Sequence, residues 1–441
     1  MAVCWREIAL RFLIIKIFYR PLLMSVAVIS HIVEQHAEEA AFLWILRSYA
    51  VHAPHYRLED LAKLDNRIEA HLDGLRIAGP DGWELCEQAL AIGEAGEVFA
   101  AGLLALESKD PEKLDKVISV AENSPEAGKG LISALGWIEP AKLSGTVKQW
   151  LNSDSNFNKL IGLAACSVHR ADPGRILANI IADDAAPVPL QACALRTAGQ
   201  LKRRDLIEPI RDHLKADDEA VQFWAAWSLA LLGDRKRAIE ALKTSACIKS
   251  LLGQRAFDLL LRAMSPIDAH LWLKNLARYP EWQRDLVVGV GIIGDPFYVP
   301  WLIKQMSIPE LSRVAGEAFS SITGVDIAYE DLDEEPPQGF EAGPTENPAD
   351  EDVTMDSDED LPWPSPLKIA AWWDANKGRF NQGVRYLSGM PISELQCKRV
   401  LTEGYQRQRK SAALELALMQ VEAPLFEVRA PGWRQQSWLS E

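Results

Sequence analysis

An acidic or serine residue, usually followed by proline and then by an apolar helical pattern, recurs along the middle of this chain. The marks are Asp110-Pro111, Glu139-Pro140, Asp172-Pro173, Asp205, Asp234, Ser265-Pro266, Asp295-Pro296 and Asp326, separated by 29 to 33 residues. A period of this length belongs to stacked two-helix units, each burying its apolar face against its neighbours. The chemistry of the mark agrees. A carboxylate or hydroxyl ahead of a helix accepts from one of the first, otherwise unpaired, backbone N–H groups. Proline at the next position forfeits no hydrogen bond. After Asp110 come Leu114, Val117, Ile118 and Ala121 at helical spacing, and after Asp295 come Val299, Leu302, Ile303 and Met306. Asp205 lacks the proline, but Glu208 three residues on completes a capping-box pattern. Ahead of the marks a second apolar helix ends in a small or Gly-containing turn, as at Leu135-Gly136, Ala198-Gly199, Leu232-Gly233, Ile293-Gly294 and Thr323-Gly324. Glycine there supplies the left-handed residue that ends a helix.

These signals predict an all-α chain, a solenoid flanked by further helices. Strand signals are sparse; Val287–Ile293 is apolar throughout but occupies the first-helix slot of a repeat and reads as helix. The expected organisation is an N-terminal helical region over 24–104, with helices His31–Tyr49 and Leu58–Leu75, repeats over 105–329, an acidic linker over 330–366 and a small helical domain over 367–441. Residues 1–23 are expected to come from an upstream start, with Met24 the natural one. The rival is a membrane-surface or targeting segment. Ile8–Tyr19 is apolar but is interrupted by Arg11 and Lys16 and is too short to cross a membrane.

The formal charge of −15 is concentrated. Residues 330–360 hold fourteen acidic residues and no Lys or Arg, whereas 361–441 hold eleven basic and seven acidic ones. So charged and apolar-poor a stretch reads as a loosely attached spacer. Two other readings stay open: a decoy for a basic surface such as a nuclease groove, and a strip lying against the basic C-terminal domain. Direct nucleic-acid binding is disfavoured, because no Lys/Arg-rich stripe is present. The short run Lys202-Arg203-Arg204 falls in a repeat turn and reads as a solvated loop.

Catalytic signatures are poor. The chain has no P-loop, no G-x-S-x-G and no H-E-x-x-H. His31 and Glu34 share a helix face, but His36 points elsewhere, so no metal site is expected. Asp65 and Glu69 read as part of an exposed, ion-paired helix face. Six scattered cysteines contain no C-x-x-C pair, and Cys166, Cys193 and Cys247 read as small buried hydrophobes in a reducing, cytoplasmic setting. No cofactor is implied. Trp224, Trp227, Trp272 and Trp301 fall in repeat helices and read as packing. Trp372, Trp373, Trp433 and Trp438 lie in less regular sequence, where aromatic residues serve as interface anchors.

Short two-helix repeats with Gly turns resemble the HEAT family over about 105–330. Three blocks extend the likeness: His36–Trp44 with Leu64–Leu75, the repeats themselves, and the end from Gly404-Tyr405-Gln406-Arg407-Gln408-Arg409 through Trp433-Arg434-Gln435. Together they resemble a proteobacterial family of HEAT-like repeat proteins encoded in type VI secretion neighbourhoods. The resemblance implies a non-enzymatic, cytoplasmic immunity protein that binds and neutralises a cognate secreted toxin, plausibly a nuclease. The alternative is an adaptor or chaperone that loads a type VI effector. Short HEAT-like repeats also occur in lyases acting on bilin chromophores, which supplies an enzymatic reading. The expected partner-binding residues are Asp331, Asp333, Glu334, Glu335, Asp350, Glu351, Asp352, Trp372 and Trp373, with a protein partner, no nucleic acid and no membrane.

Overall fold

The computed structural model describes residues 29–340, 342–343 and 355–440. The expectation for residues 1–23 lies outside that set, as do Asp350, Glu351 and Asp352. Helices α1 (Ser30–Ala50), α2 (Leu58–Ala78) and α3 (Pro80–Ala89) come first. From there the helices alternate between two layers. The inner layer is α4 (Ala95–Ser108), α6 (Pro125–Trp137), α8 (Asn156–His169), α10 (Val188–Gln200), α12 (Glu219–Leu232), α14 (Leu251–Ala263), α16 (Gln283–Ile293) and α18 (Pro309–Thr323). The outer layer is α5 (Pro111–Asn123), α7 (Pro140–Leu151), α9 (Arg175–Ile181), α11 (Ile207–Asp212), α13 (Arg235–Ala246), α15 (Pro266–Leu276) and α17 (Val299–Gln305). The chain is thus an all-α solenoid, and Val287–Ile293 is helical as expected.

Inner helices are the more apolar because they are covered on several sides; in α12 every residue from Ala225 to Leu232 is buried. The outer helices start at the sequence marks. Asp110, Ser265 and Asp295 accept the backbone N–H of Glu112, Asp268 and Phe297. Asp205 does not form its capping box, since Arg203 takes its carboxylate at 2.7 Å and a charge-assisted bond outcompetes a neutral N–H. Asp326 opens a turn, not a helix. A second series of caps begins the inner helices: the side chains of Ser124, Ser155, Asp218 and Ser250 each accept from the first turn.

After the stack come α19 (Pro366–Asn376), a hairpin of β1 (Tyr386–Leu387) and β2 (Met390–Pro391), α20 (Glu394–Glu403), α21 (Gln406–Met419) and α22 (Gly432–Ser440). This part lies along the stack, and its apolar residues from Ile369 to Leu425 share one hydrophobic core with the repeats. It runs back from the last repeats toward the first as a strap, bonding at almost every step to the C-terminal end of an inner helix. The Tyr386 N–H donates to Gly294 O at 2.8 Å, and the N–H groups of Ser388 and Gly389 donate to Ser321 O and Ile322 O. Arg385 donates to Ile292 O and Ile293 O. The Leu425 N–H donates to Gln200 O at 2.9 Å, and Arg434 reaches the carbonyls of Gly136, Trp137 and Ile138. Gly294 is required here: its φ is +73°, and a Cβ would stand 2.3 Å from Tyr386 O.

Other sequence expectations need correction. Lys202 is no solvated loop residue; it is buried and donates to Leu231 O and Ala417 O, both at 2.6 Å. Asp65 is not on an exposed face. It is fully buried, pairs with Arg47 at 2.5 Å and accepts the Gly432 N–H at 2.6 Å, while Arg47 donates to the carbonyls of Arg429 and Ala430. Cys247 is exposed, because it falls just past the end of α13.

The described ends of the acidic segment are anchored to the repeats. Leu332 and Leu361 are buried, Asp356 pairs with Arg313 at 2.5 Å and Asp358 with Arg284 at 2.6 Å. Arg313 also lies over the Trp363 ring. Repeat arginines and local apolar burial supply what composition alone did not reveal.

Because Asp65 joins α1, α2 and the strap, Asp65→Ala leaves the Arg47 guanidinium buried without its carboxylate. The expected loss is about 3–5 kcal/mol of unfolding free energy, read by urea denaturation. A loss below about 1 kcal/mol would show that the pair is not the seat of the strap.

Candidate functional site

The stack curves until its two ends meet. Arg57, just ahead of α2, lies 3.8 Å from Asp326 beyond α18. Tyr405 of the strap locks the closure: its hydroxyl donates to Asp326 at 2.7 Å and accepts from Arg57 at 3.1 Å, while the Gln406 N–H donates to Tyr56 O at 2.8 Å. Arg407 adds bonds to His52 O and, at 3.0 Å, to Glu317.

Between the joined ends lies a hollow of about 950 Å³, lined from three directions by the 51–57 loop, the inner helices and the strap. Its charges are largely matched. Arg262 pairs with Asp258 at 2.9 Å and Glu415 at 3.0 Å, Arg399 with Glu403 at 2.8 Å, and Lys249 with Asp285. His52, partly exposed on its wall, is neutral at pH 7. Burial, then the charges of Arg429, Lys410, Arg255 and Arg407, push its pKa down to about 4.

A second surface lies on α1. Phe42, Ile45, Leu46 and Tyr49 follow i, i+3, i+4, i+7 and are all exposed, Phe42 at 61% and Tyr49 at 72%, while Val33, Ala40, Leu43 and Trp44 on the same helix are buried. Such an exposed apolar stripe is a candidate contact surface. Its signal was present in the sequence, since α1 is apolar on both faces.

Of the residues expected to bind a partner, Asp331, Glu334 and Glu335 are exposed and Asp333 is half-buried, beside Pro364. Trp372 is half-buried; its indole N–H donates to Glu330 at 3.1 Å and its ring meets Phe319 edge-on. Trp373 is buried against Phe380. Trp433 packs on Trp137 and Trp438 on Phe426, so these tryptophans spend ring area on internal packing.

Two histidine clusters are present. His36 meets His71, Nδ1 to Nδ1, at 3.1 Å, with no group of three metal-ligating side chains among the described residues. His270 bonds Tyr298 at 2.6 Å and Asp295 at 3.1 Å. Asp295 also accepts the Gly383 N–H at 3.1 Å, so this chain of polar groups ties the approach to the strap.

A family model for HEAT repeats matches residues 175–247, from α9 to just past α13. No curated protein and no solved structure matches the chain. HEAT repeats are protein-interaction scaffolds, so the partners this stretch implies are proteins. No described helix is long and apolar enough to cross a membrane.

The position of His52 makes stability pH-dependent. The folded chain keeps it neutral down to about pH 4, while the unfolded chain protonates near 6.5. Between those values the unfolded state binds more protons, so stability falls as pH drops through this window and is level above it for this group. Urea midpoints from pH 7 to 4.5 are expected to fall less in His52→Gln than in the wild type. Equal falls would contradict this.

Proposed function

We propose that the chain is a non-catalytic binding protein that captures a partner protein on the apolar stripe of α1. The partner is a secreted toxin encoded nearby, and capture neutralises it in the cytoplasm. The observation that carries the binding reading is the stripe itself, four large apolar side chains at helical spacing on a helix whose other face is fixed in the core. A rigid scaffold presents such a surface with little ordering cost, which favours tight capture. The toxin reading rests on the resemblance of residues 36–44, 64–75 and 404–435 to the type VI repeat family. The exposed carboxylates Asp331, Glu334 and Glu335 suit a basic partner such as a nuclease, whose encounter they would speed.

The test is co-expression with the product of the adjacent gene. A stable one-to-one complex and protection of the host are expected, and Phe42→Asp with Tyr49→Asp should weaken binding at least about tenfold (~1.4 kcal/mol) without loss of folding. Binding without protection would replace neutralisation by the adaptor reading. No complex, or full binding by the double variant, would sink the proposal.

A further inference from the structure

Helices α1 and α2 share one hydrophobic core at the start of the stack, and their contact brings two imidazoles together. His36 of α1 and His71 of α2 meet Nδ1 to Nδ1 at 3.1 Å, with ring centroids 5.2 Å apart and planes inclined at 67°. Both residues are half-buried, so the pair is held by the helices and still reachable by water. Nothing in the spacing of His31, Glu34 and His36 along α1 reveals the pair, because its second member comes from the next helix.

The backbone makes room for this meeting. Gly74 lies inside α2, one turn beyond His71, where glycine costs about 0.5–1 kcal/mol relative to alanine. A Cβ there would stand 2.5 Å from His36 Cδ2 and 2.6 Å from its Nε2. The imidazole thus occupies the space an ordinary side chain would fill. Its Cδ2–Nε2 edge faces α2, and that seat leaves Nδ1, on the opposite edge, as the nitrogen that meets His71.

The spacing of the two nitrogens suits a shared ion. Zinc binds imidazole nitrogen at about 2.0–2.1 Å, which sets two such ligands roughly 2.9 Å apart at a right angle and roughly 3.3 Å apart at a tetrahedral one. The 3.1 Å separation falls between these limits. Burial, then the neighbouring His36, hold the His71 pKa below its ordinary value, so its ring is neutral at pH 7 and has a lone pair to give. Glu39, half-buried one turn after His36 on α1, adds a negative charge that acts on His71, opposed by that of Arg67.

We propose that His36 and His71 form a surface seat for a first-row transition-metal dication such as Zn²⁺, bound through both Nδ1 atoms. The described residues hold no group of three metal-ligating side chains, so water fills the remaining positions. Imidazole suits zinc, copper and nickel, whereas magnesium and calcium take oxygen ligands. The seat is separate from the stripe of Phe42, Ile45, Leu46 and Tyr49 and does not depend on the capture of a partner.

Isothermal titration of the full chain, freed of metal with EDTA, tests it with Zn²⁺, Cu²⁺ and Mg²⁺ as separate titrants. One-to-one binding of Zn²⁺, tighter binding of Cu²⁺ and none of Mg²⁺ are expected. Affinity for Zn²⁺ should fall at least tenfold in His36→Gln and in His71→Gln, and persist in Cys247→Ala, which removes the exposed thiol. Because an ion bound to the folded state stabilises it, Zn²⁺ should raise the melting temperature of the wild type and leave that of His71→Gln unchanged. Absence of saturable Zn²⁺ binding, equally tight Mg²⁺ binding, unchanged affinity in both histidine variants, or loss of binding in Cys247→Ala would overturn the proposal.

Discussion

Every α-helix leaves its last carbonyl groups without intrahelical donors, and a stack of parallel inner helices lines up those open ends along one edge. That edge also carries the negative ends of the helix dipoles. In this protein the strap answers both demands. Its backbone N–H groups and the side chains of Arg385 and Arg434 are spent on carbonyls at the ends of α6, α10, α16 and α18. The repeats return the contact, with Lys202 and Arg235 donating to strap carbonyls at Ala417 and Leu418. Arg385 and Arg434 are the basic residues of 361–441 that serve it.

Curvature and site come from the same constraint. A strap that starts at α18 and ends against α1 and α2 ties the last repeats to the first, and the Arg57–Asp326–Tyr405 cluster forms where they meet. The hollow between the ends is bounded by chain on three sides and its charges are mostly matched internally. The exposed apolar stripe on α1 lies outside this hollow.

The repeat and its caps were legible in the sequence because they are local chemistry: an acceptor side chain, a proline and an apolar period lie within a dozen residues. The inner-helix caps at Ser124, Ser155, Asp218 and Ser250 carry the same kind of local signal, an acceptor side chain directly ahead of a helix. The strap was not legible. Its partners are backbone carbonyls, which look alike in every residue, so nothing in Lys202-Arg203-Arg204 distinguishes a clamp from a solvated turn. The burial of Asp65 is illegible for a related reason: Gly432, hundreds of positions away, leaves no trace in the pattern of its own helix. Trp372 and Trp373 announced an aromatic contact without saying that Phe319 and Phe380 of the same chain provide it.

Native-state hydrogen exchange at the strap amides reads the central claim directly. If the strap seals the inner helix ends, the N–H groups of Tyr386, Ser388, Gly389 and Leu425, each bonded to a repeat carbonyl, exchange as slowly as those of α12 and α14. Exchange at the rate of an unstructured peptide, with the inner helices still protected, would show that the stack stands without the strap and would contradict the account.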